Sequence, residues 1–310
     1  MEPQYISDII EQLKKNFSVD DNAEITLETN PGTVNTEKLQ TFRNTGINRI
    51  SIGIQSFNND ELKFLTRIHD SKTAIKTVLD AAETGFENIS IDLIFNLPKQ
   101  TKEIWRSNLE QAVKLPIKHI STYSLILERG TILNKMVLDG KVKMQSEDYD
   151  ADLYEFAIDF LTRHGFNQYE VSNFARDGKE CVHNNSYWRY KDYLSFGTSA
   201  HSFVNGKRWW NYSALNLFHS AIEKNGHAVA GEEVLMPNEM LEEYVMLALR
   251  SKGLDLIELE NIFGKEWYLA NKNFIDELRQ ERFLTSKNNL LSFTPKGYAM
   301  CDEILGKLKN

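Results

Sequence analysis

Three short β-rich runs, each followed by a turn and then a helical pattern, constrain what this chain can fold into. They are ITLETNPG at 25–32, RISIGIQSF at 49–57 and NISIDLIFNLP at 88–98. Each carries a polar residue toward its end: Glu28, Gln55 and Asp92. A parallel barrel presents its ligand site this way, gathering functional side chains at the C-terminal ends of its strands. The rhythm predicts four parallel strands, Glu24–Glu28, Arg49–Gln55, Asn88–Phe95 and His119–Ile126, joined by right-handed helical crossovers. An opening helix, Tyr5–Phe17, places Ile6, Ile9, Ile10 and Leu13 on one face. Crossover helices are predicted from Asn35 or Thr36 to Gly46, over Asn59–Leu65, over Ser71–Thr84 closed by Gly85, and over Thr101–Leu115. Four strands are fewer than a closed barrel needs. Parallel strands are ordinarily buried on both sides, so Glu24–Glu28 is expected to be an open edge.

Composition narrows the function classes. The 310 residues are 41% hydrophobic and 26% charged, with a net charge of −8, an ordinary globular balance. The acidic sum argues against a broad nucleic-acid footprint. No apolar run approaches the ~18 residues of a membrane span. The start, Met1-Glu2-Pro3-Gln4-Tyr5, lacks the regions of a signal peptide. Two cysteines, Cys181 and Cys301, suit a reducing cytoplasm.

Beyond the strands, a helix is predicted from Ser146 to Arg163, ending at Gly165, with Tyr149, Leu153, Phe156 and Phe160 on one stripe. An aromatic, turn-rich stretch follows from Tyr169 to Tyr212. The tail reads as helices Asn238–Arg250, Leu256–Phe263 and Trp267–Glu281. A hairpin around Asn288-Asn289 and helix Pro295–Leu308 complete it. The predicted architecture is α/β: a partial barrel at 1–168, an aromatic linking segment at 169–237, and an α+β winged-helix-like domain at 238–310. Winged helices often bind DNA, but residues 232–310 carry 14 acidic and 10 basic side chains. Trp267–Glu281 holds only Lys272 and Arg279, too few to neutralise phosphates. A lid or partner-docking role fits this tail better.

The blocks EITLETNPGTV, GINRISIGIQSF, RIHD, GFENISIDLIFNLPKQT and HISTYSLILERGT resemble the radical S-adenosylmethionine (SAM) family. The branch is that of oxygen-independent coproporphyrinogen III oxidase. YEVSNFARDGKECVHNNSYW, FGTSAHSF and FLTSKNNLLSFTPKGYAMCDEIL are similar to the HemW heme-chaperone group within it. The resemblance is collinear over almost the whole chain. It implies a partial (βα)6 radical-SAM barrel with about four strands retained. It also implies SAM contacts at Glu28, Gln55, Arg67 and Asp92. Alone, a Glu, Gln or Asp at a strand end is usually a turn residue. Three in succession within these motifs point to a ligand site. Carboxylates can take the SAM ammonium or ribose hydroxyls, and Arg67 can pair with its carboxylate through a planar fork.

The family's chemistry also requires a [4Fe–4S] cluster on a CxxxCxxC loop and a GGTP segment that approaches SAM. Neither occurs here, and two cysteines in later segments cannot replace three. The expectation is an N-terminally shortened chain or an internal start. It would lack about 60–80 residues, roughly two βα units, and would not cleave SAM. In the segment Cys181–Trp188, the HNxxYW pattern implies heme, with His183 as axial ligand and Tyr187 and Trp188 packing on the porphyrin. His201 and Cys181 are the further candidates. Family GxGAHS sequences have a second glycine where this chain has Thr198-Ser199. The expected function is heme binding and delivery to an acceptor hemoprotein, with peripheral association to membrane respiratory proteins among its partners. The alternatives are a coproporphyrinogen oxidase and a non-catalytic fragment.

Overall fold

The computed structural model describes residues 2–309. They form two compact units, divided between Glu180 and Cys181, where the sequence predicts three segments. The first unit runs α1 (Pro3–Asn16), β1 (Thr26–Thr29), α2 (Thr36–Asn44), β2 (Arg49–Gln55), α3 (Asn59–Phe64), α4 (Ser71–Glu83) and β3 (Asn88–Phe95). It continues with α5 (Lys102–Val113), β4 (His119–Ser124), α6 (Ile132–Leu138), α7 (Glu147–Arg163), β5 (Asn167–Gln168) and β6 (Asn173–Ala175). Side-chain caps start the crossover helices: Asn35 accepts from Lys38 N at 2.9 Å and Asp70 from Thr73 N at 2.8 Å. Gly85, at φ +90°, ends α4 in a conformation that costs glycine little.

One sheet organises this unit, in the order β1-β2-β3-β4-β6-β5. Its first four strands are parallel; β6 adds antiparallel to β4, and β5 to β6. The short hairpin lies at 167–175, so the sheet extends past the predicted boundary at 168. Period-two alternation gives the sheet two chemically different faces. Ile50, Ile52, Ile54, Ile89, Ile91, Leu93 and Ile120 are fully buried. Trp105 and Leu109 of α5, Ala74 and Val78 of α4 and Leu39 of α2 are fully buried as well. The alternate positions are Glu28, Arg49, Ser51, Ser90, Asp92, His119 and Ser121. The register aligns Glu28 with Ser51, Ser51 with Ser90, Ser90 with His119, and Asp92 with Ser121.

Two predicted strands shift their bounds, and one predicted strand-end residue moves inward. Strand β1 begins at Thr26 because the Asn48 side chain takes over the pairing of its lead-in. Asn48 accepts from Ile25 N at 2.9 Å and donates to Ala23 O at 2.8 Å. Strand β4 stops at Ser124, short of the predicted Ile126. Asp92 is interior to β3, three residues before its end. The stripe buried on α7 is Leu153, Tyr154, Ala157, Ile158 and Leu161. Phe156, predicted on one stripe with Leu153, lies under the charges of Lys102 and Arg106 at 5.2 and 5.0 Å. As predicted, β1 pairs with β2 alone among the described strands, and it is less buried than β2.

The second unit contains α8 (Val182–Trp188), β7 (His201–Val204), β8 (Lys207–Asn211), α9 (Leu215–Asn225) and β9 (Val229–Val234). Strands β7-β8-β9 form an antiparallel sheet inside the stretch predicted only as a linking segment. Then come α10 (Pro237–Leu249), β10 (Leu254–Asp255), α11 (Leu256–Phe263), α12 (Glu266–Gln280), β11 (Leu284–Lys287) and β12 (Leu290–Phe293). Short helices α13 (Pro295–Ala299) and α14 (Cys301–Lys307) close it. Its hairpin β11-β12 turns at Asn288 and Asn289, both with positive φ, and β10 completes a sheet ordered β10-β12-β11. Among the described residues no helix is long and apolar enough to cross a membrane.

Truncating the inner layer should be costly. Ile91→Ala is expected to lower stability by about 2–5 kcal/mol, measured as the shift of the urea unfolding midpoint at constant m-value.

Candidate functional site

The C-terminal rim of β1 and β2 is built by a break in the ladder. Between Ile52 and Gln55 the pairing with β3 slips, and Gln55 takes φ +71°. A Cβ on Gly53 would lie 2.9 Å from Gln55 Nε2 and 3.0 Å from Asn30 Oδ1. Glycine therefore lets these two side chains close over the strand. Arg67 joins them, with Nη1 donating to Asn30 Oδ1 at 3.4 Å. Its Nε is buried without a hydrogen-bond partner, a donor held ready for an acceptor. His69, in the same loop, meets Ile54 O at 3.1 Å, and burial lowers its pKa.

A buried network holds the loops behind this rim. Glu61 accepts from Ser56 Oγ at 2.5 Å, Asn108 Nδ2 at 3.1 Å and Gln100 Nε2 at 2.8 Å. Gln100 Oε1 in turn accepts from Asn96 N at 2.8 Å, where Asn96 has φ +61°. The loops after β2 and β3 are thus tied to one carboxyl group. Removing a donor would leave a buried acceptor unsatisfied, at about 1–3 kcal/mol.

The polar face of the sheet gathers acids. Burial pushes the Asp92 pKa up to about 6; the Ser121 hydroxyl opposes this and the nearby Glu28 charge adds to it. Burial likewise raises Glu170 to about 7, against hydrogen bonds from Ser172 N (3.1 Å) and from Asn173. Desolvation of its hydroxyl raises Tyr123 to about 12, although the residue as a whole is 43% exposed; Ser121 opposes the shift and the charges of Asp92, Glu170 and Glu28 reinforce it. Deeper on this face, His119 bridges Ser90 Oγ and Tyr169 OH, each at 2.8 Å. Burial holds its pKa well below the usual histidine range, so the imidazole is neutral. Carboxyl groups near neutrality can accept an ammonium or hydroxyls, and Glu170 can also donate a proton.

The four predicted SAM residues therefore fall into two pairs. Gln55 and Arg67 both approach Asn30; Glu28 and Asp92 are coupled by charge across β2. Asn30, Tyr123 and Glu170 were not singled out from sequence. Their signal was the alternation His119-x-Ser121-x-Tyr123 and the acid inside YEVSNF.

In the second unit, His183 is an exposed residue near the start of α8. Its ring meets Tyr187, one helical turn on, edge-on at 4.6 Å, and Tyr187 meets Tyr193 edge-on at 4.6 Å. The Trp188 indole Nε1 is buried without a partner. Cys181 is buried at the N-cap of α8. His201 opens β7, stacked beside Trp210 at 5.9 Å.

With this geometry in place, similarity to known proteins can be stated. The radical SAM superfamily profile matches residues 1–112. The chain is 35% identical to the heme chaperone HemW of Lactococcus lactis, over 92% of this chain and 75% of the relative. It is 30% identical to that of Bacillus subtilis, over 97% and 79%. It is 34% identical to the mitochondrial radical S-adenosyl methionine domain-containing protein 1 of Danio rerio, over 98% and 71%. The solved coproporphyrinogen III oxidase (HemN) of Escherichia coli shares the fold, with TM-score 0.82 at 22% identity over 99% of this chain and 74% of that one. The chain belongs to the radical SAM superfamily, in its HemW/HemN-like branch.

The residues present do not fit an iron–sulfur cluster. Cys181 and Cys301 are both buried, and burial first of all raises the Cys301 thiol pKa to about 11, away from the thiolate a cluster needs. Among the described residues no three His, Cys, Asp or Glu side chains group as metal ligands.

The raised carboxyls fix a pH dependence. Asp92 and Glu170 titrate from ordinary values of 3.8 and 4.5 in the unfolded chain to about 6 and 7 when folded. The unfolded state loses its protons first. Both groups therefore withdraw stability as pH rises through about 4 to 7, and the loss is complete above the folded values. Asp92→Asn and Glu170→Gln should each gain stability relative to the parent across that window, read as urea midpoints at successive pH values. A constant difference would contradict the assignment.

Proposed function

We propose that this protein handles a tetrapyrrole, binding heme in its second unit and passing it to an acceptor hemoprotein in the cytoplasm. The observation carrying this reading is the aromatic row His183–Tyr187–Tyr193, which offers an exposed imidazole backed by flat rings. Heme iron takes neutral imidazole as an axial ligand, and aromatic faces pack on the porphyrin. The relatives named heme chaperone HemW support it. The partners proposed with it include membrane respiratory proteins approached from the surface. The tail 238–310, two long helices beside a three-stranded sheet, we read as a winged-helix-like lid or docking domain.

SAM belongs to the first unit in this proposal. Glu28 and Asp92 would take its ammonium or ribose hydroxyls, Arg67 its carboxylate through the unpaired donor, and Gln55 would complete the rim. No cleavage step is assigned, because the cluster's ligands do not fit here.

A second reading is oxidation of coproporphyrinogen III, in which two propionates become vinyl groups. The whole-chain likeness to the Escherichia coli enzyme favours it, and the broader structural support lies on this side. Both readings place a tetrapyrrole on the protein, and they part on radical chemistry.

Two measurements separate them. Titration of the purified chain with hemin should give a Soret band that His183→Ala weakens; absence of a band in the parent would refute heme binding. After anaerobic iron–sulfur reconstitution, SAM should be recovered intact, and release of 5′-deoxyadenosine would instead support the oxidase reading.

A further inference from the structure

We infer that Asn30 is a positioning residue of the first unit: by taking Nη1 of Arg67 it reserves the Nε–Nη2 edge of the guanidinium for a carboxylate, so the rim selects ligands that carry one. The inference rests on the SAM assignment above and deepens it, naming the edge that meets the carboxylate and the side chain that sets it. A guanidinium can meet a carboxylate through a pair of parallel N–H bonds. Two of its edges can do so, Nη1 with Nη2 at its end and Nε with Nη2 along its side. Nη1 of Arg67 donates to Asn30 Oδ1 at 3.4 Å, which occupies the end. Nε is buried and makes no hydrogen bond. A buried donor without an acceptor is costly, and a ligand carboxylate across Nε and Nη2 removes that cost. Since a guanidinium donates at every N–H and accepts at none, Asn30 must face it with the amide oxygen.

The local sequence holds both partners in place. Helix α3 ends in a paired motif: Thr66 N donates to Lys63 O at 3.0 Å and Arg67 N to Leu62 O at 2.9 Å. That motif needs a left-handed residue, and Thr66 supplies it at φ +54°. A β-branched residue is strained there, and backbone strain of this kind concentrates at ligand sites. Two residues beyond Arg67, His69 meets Ile54 O at 3.1 Å and pins the loop to β2. On the other side, the turn Asn30-Pro31-Gly32-Thr33 has Gly32 at φ +80°. Asn30 O accepts from Thr33 N at 3.2 Å and from Thr33 Oγ1 at 2.7 Å. The main chain of Asn30 is thereby fixed, and its side chain is left for Arg67.

Gly53 of β2 makes room for the contact. A Cβ there would come within 2.9 Å of Gln55 Nε2 and 3.0 Å of Asn30 Oδ1. Both atoms end flexible side chains, so an added methyl group would displace them without moving the strand. Decarboxylated SAM isolates the carboxylate: it keeps the adenosine, the sulfonium and the ammonium and lacks that one group. The parent should bind SAM at least about tenfold more tightly than decarboxylated SAM, the ratio that corresponds to about 1.4 kcal/mol. Lysine in place of Arg67 would keep a positive charge and offer no planar edge to select.

The test titrates the full chain calorimetrically with SAM and with decarboxylated SAM, and follows the fold of each variant by circular dichroism. Asn30→Ala should weaken SAM about tenfold and leave decarboxylated SAM unchanged, so that the preference disappears. Gly53→Ala should lower the preference in the same direction while circular dichroism stays unchanged. Arg67→Lys should also lose the preference. Adding Asn30→Ala to Arg67→Lys should then change nothing further, as expected of two residues that act as one unit. If Asn30→Ala weakens both ligands alike or neither, or if the parent binds both equally well, the positioning role is refuted and the SAM assignment stands. If the parent binds neither, both fall, and the heme reading is judged separately by the hemin titration.

Discussion

Burial of β2 on both sides dictates the rest of the first unit. All seven of its residues are buried. A parallel strand in that position must be paired on each edge and covered on each face. Strands β1 and β3 supply the pairing. The layer of helices covers Ile50, Ile52 and Ile54, and the other face must then accommodate Arg49, Ser51 and Gly53. The polar positions of β3 and β4 align with these by register. A polar inner surface thus follows from the ladder and needs no separate design.

That surface carries a cost which explains its chemistry. Groups such as Asp92 and Glu170 are removed from water without a full set of cationic partners, so their protons are held more tightly. The rim above them is shaped by the slip at Gly53 and by the Glu61 network, which ties two loops to one buried group. Rim and inner face together give one end of the sheet both a donor-rich side, at Arg67, and an acid-rich side.

The first unit was legible in sequence because its signals are local. Arg49–Gln55 and Asn88–Phe95 are found at the predicted bounds, since alternating β-branched residues between turn signals define them. Asn35 and Asp70 cap helices as their side chains allow. Residues 169–237 were less legible. Strands β7 to β9 are short and interrupted by glycine, and their cohesion comes from cross-strand partners such as Arg208 with Glu233, 25 residues apart. No window of sequence contains that pairing. For the same reason Tyr123 and Glu170 escaped notice: each looks ordinary until the fold brings Tyr123 within reach of the charges of Asp92 and Glu170.

The sequence by itself determined the βα order, the family, the absence of a cysteine triad, and the residue types available for binding. Those depend on composition and on motifs a few residues long. Tertiary structure alone decided which of them meet. It joined Arg67 to Asn30 across 37 positions, set Glu28 against Asp92, and turned His201, Trp210 and Gly231 into one row. Proximity in a sheet is fixed by register and topology, which no single segment encodes.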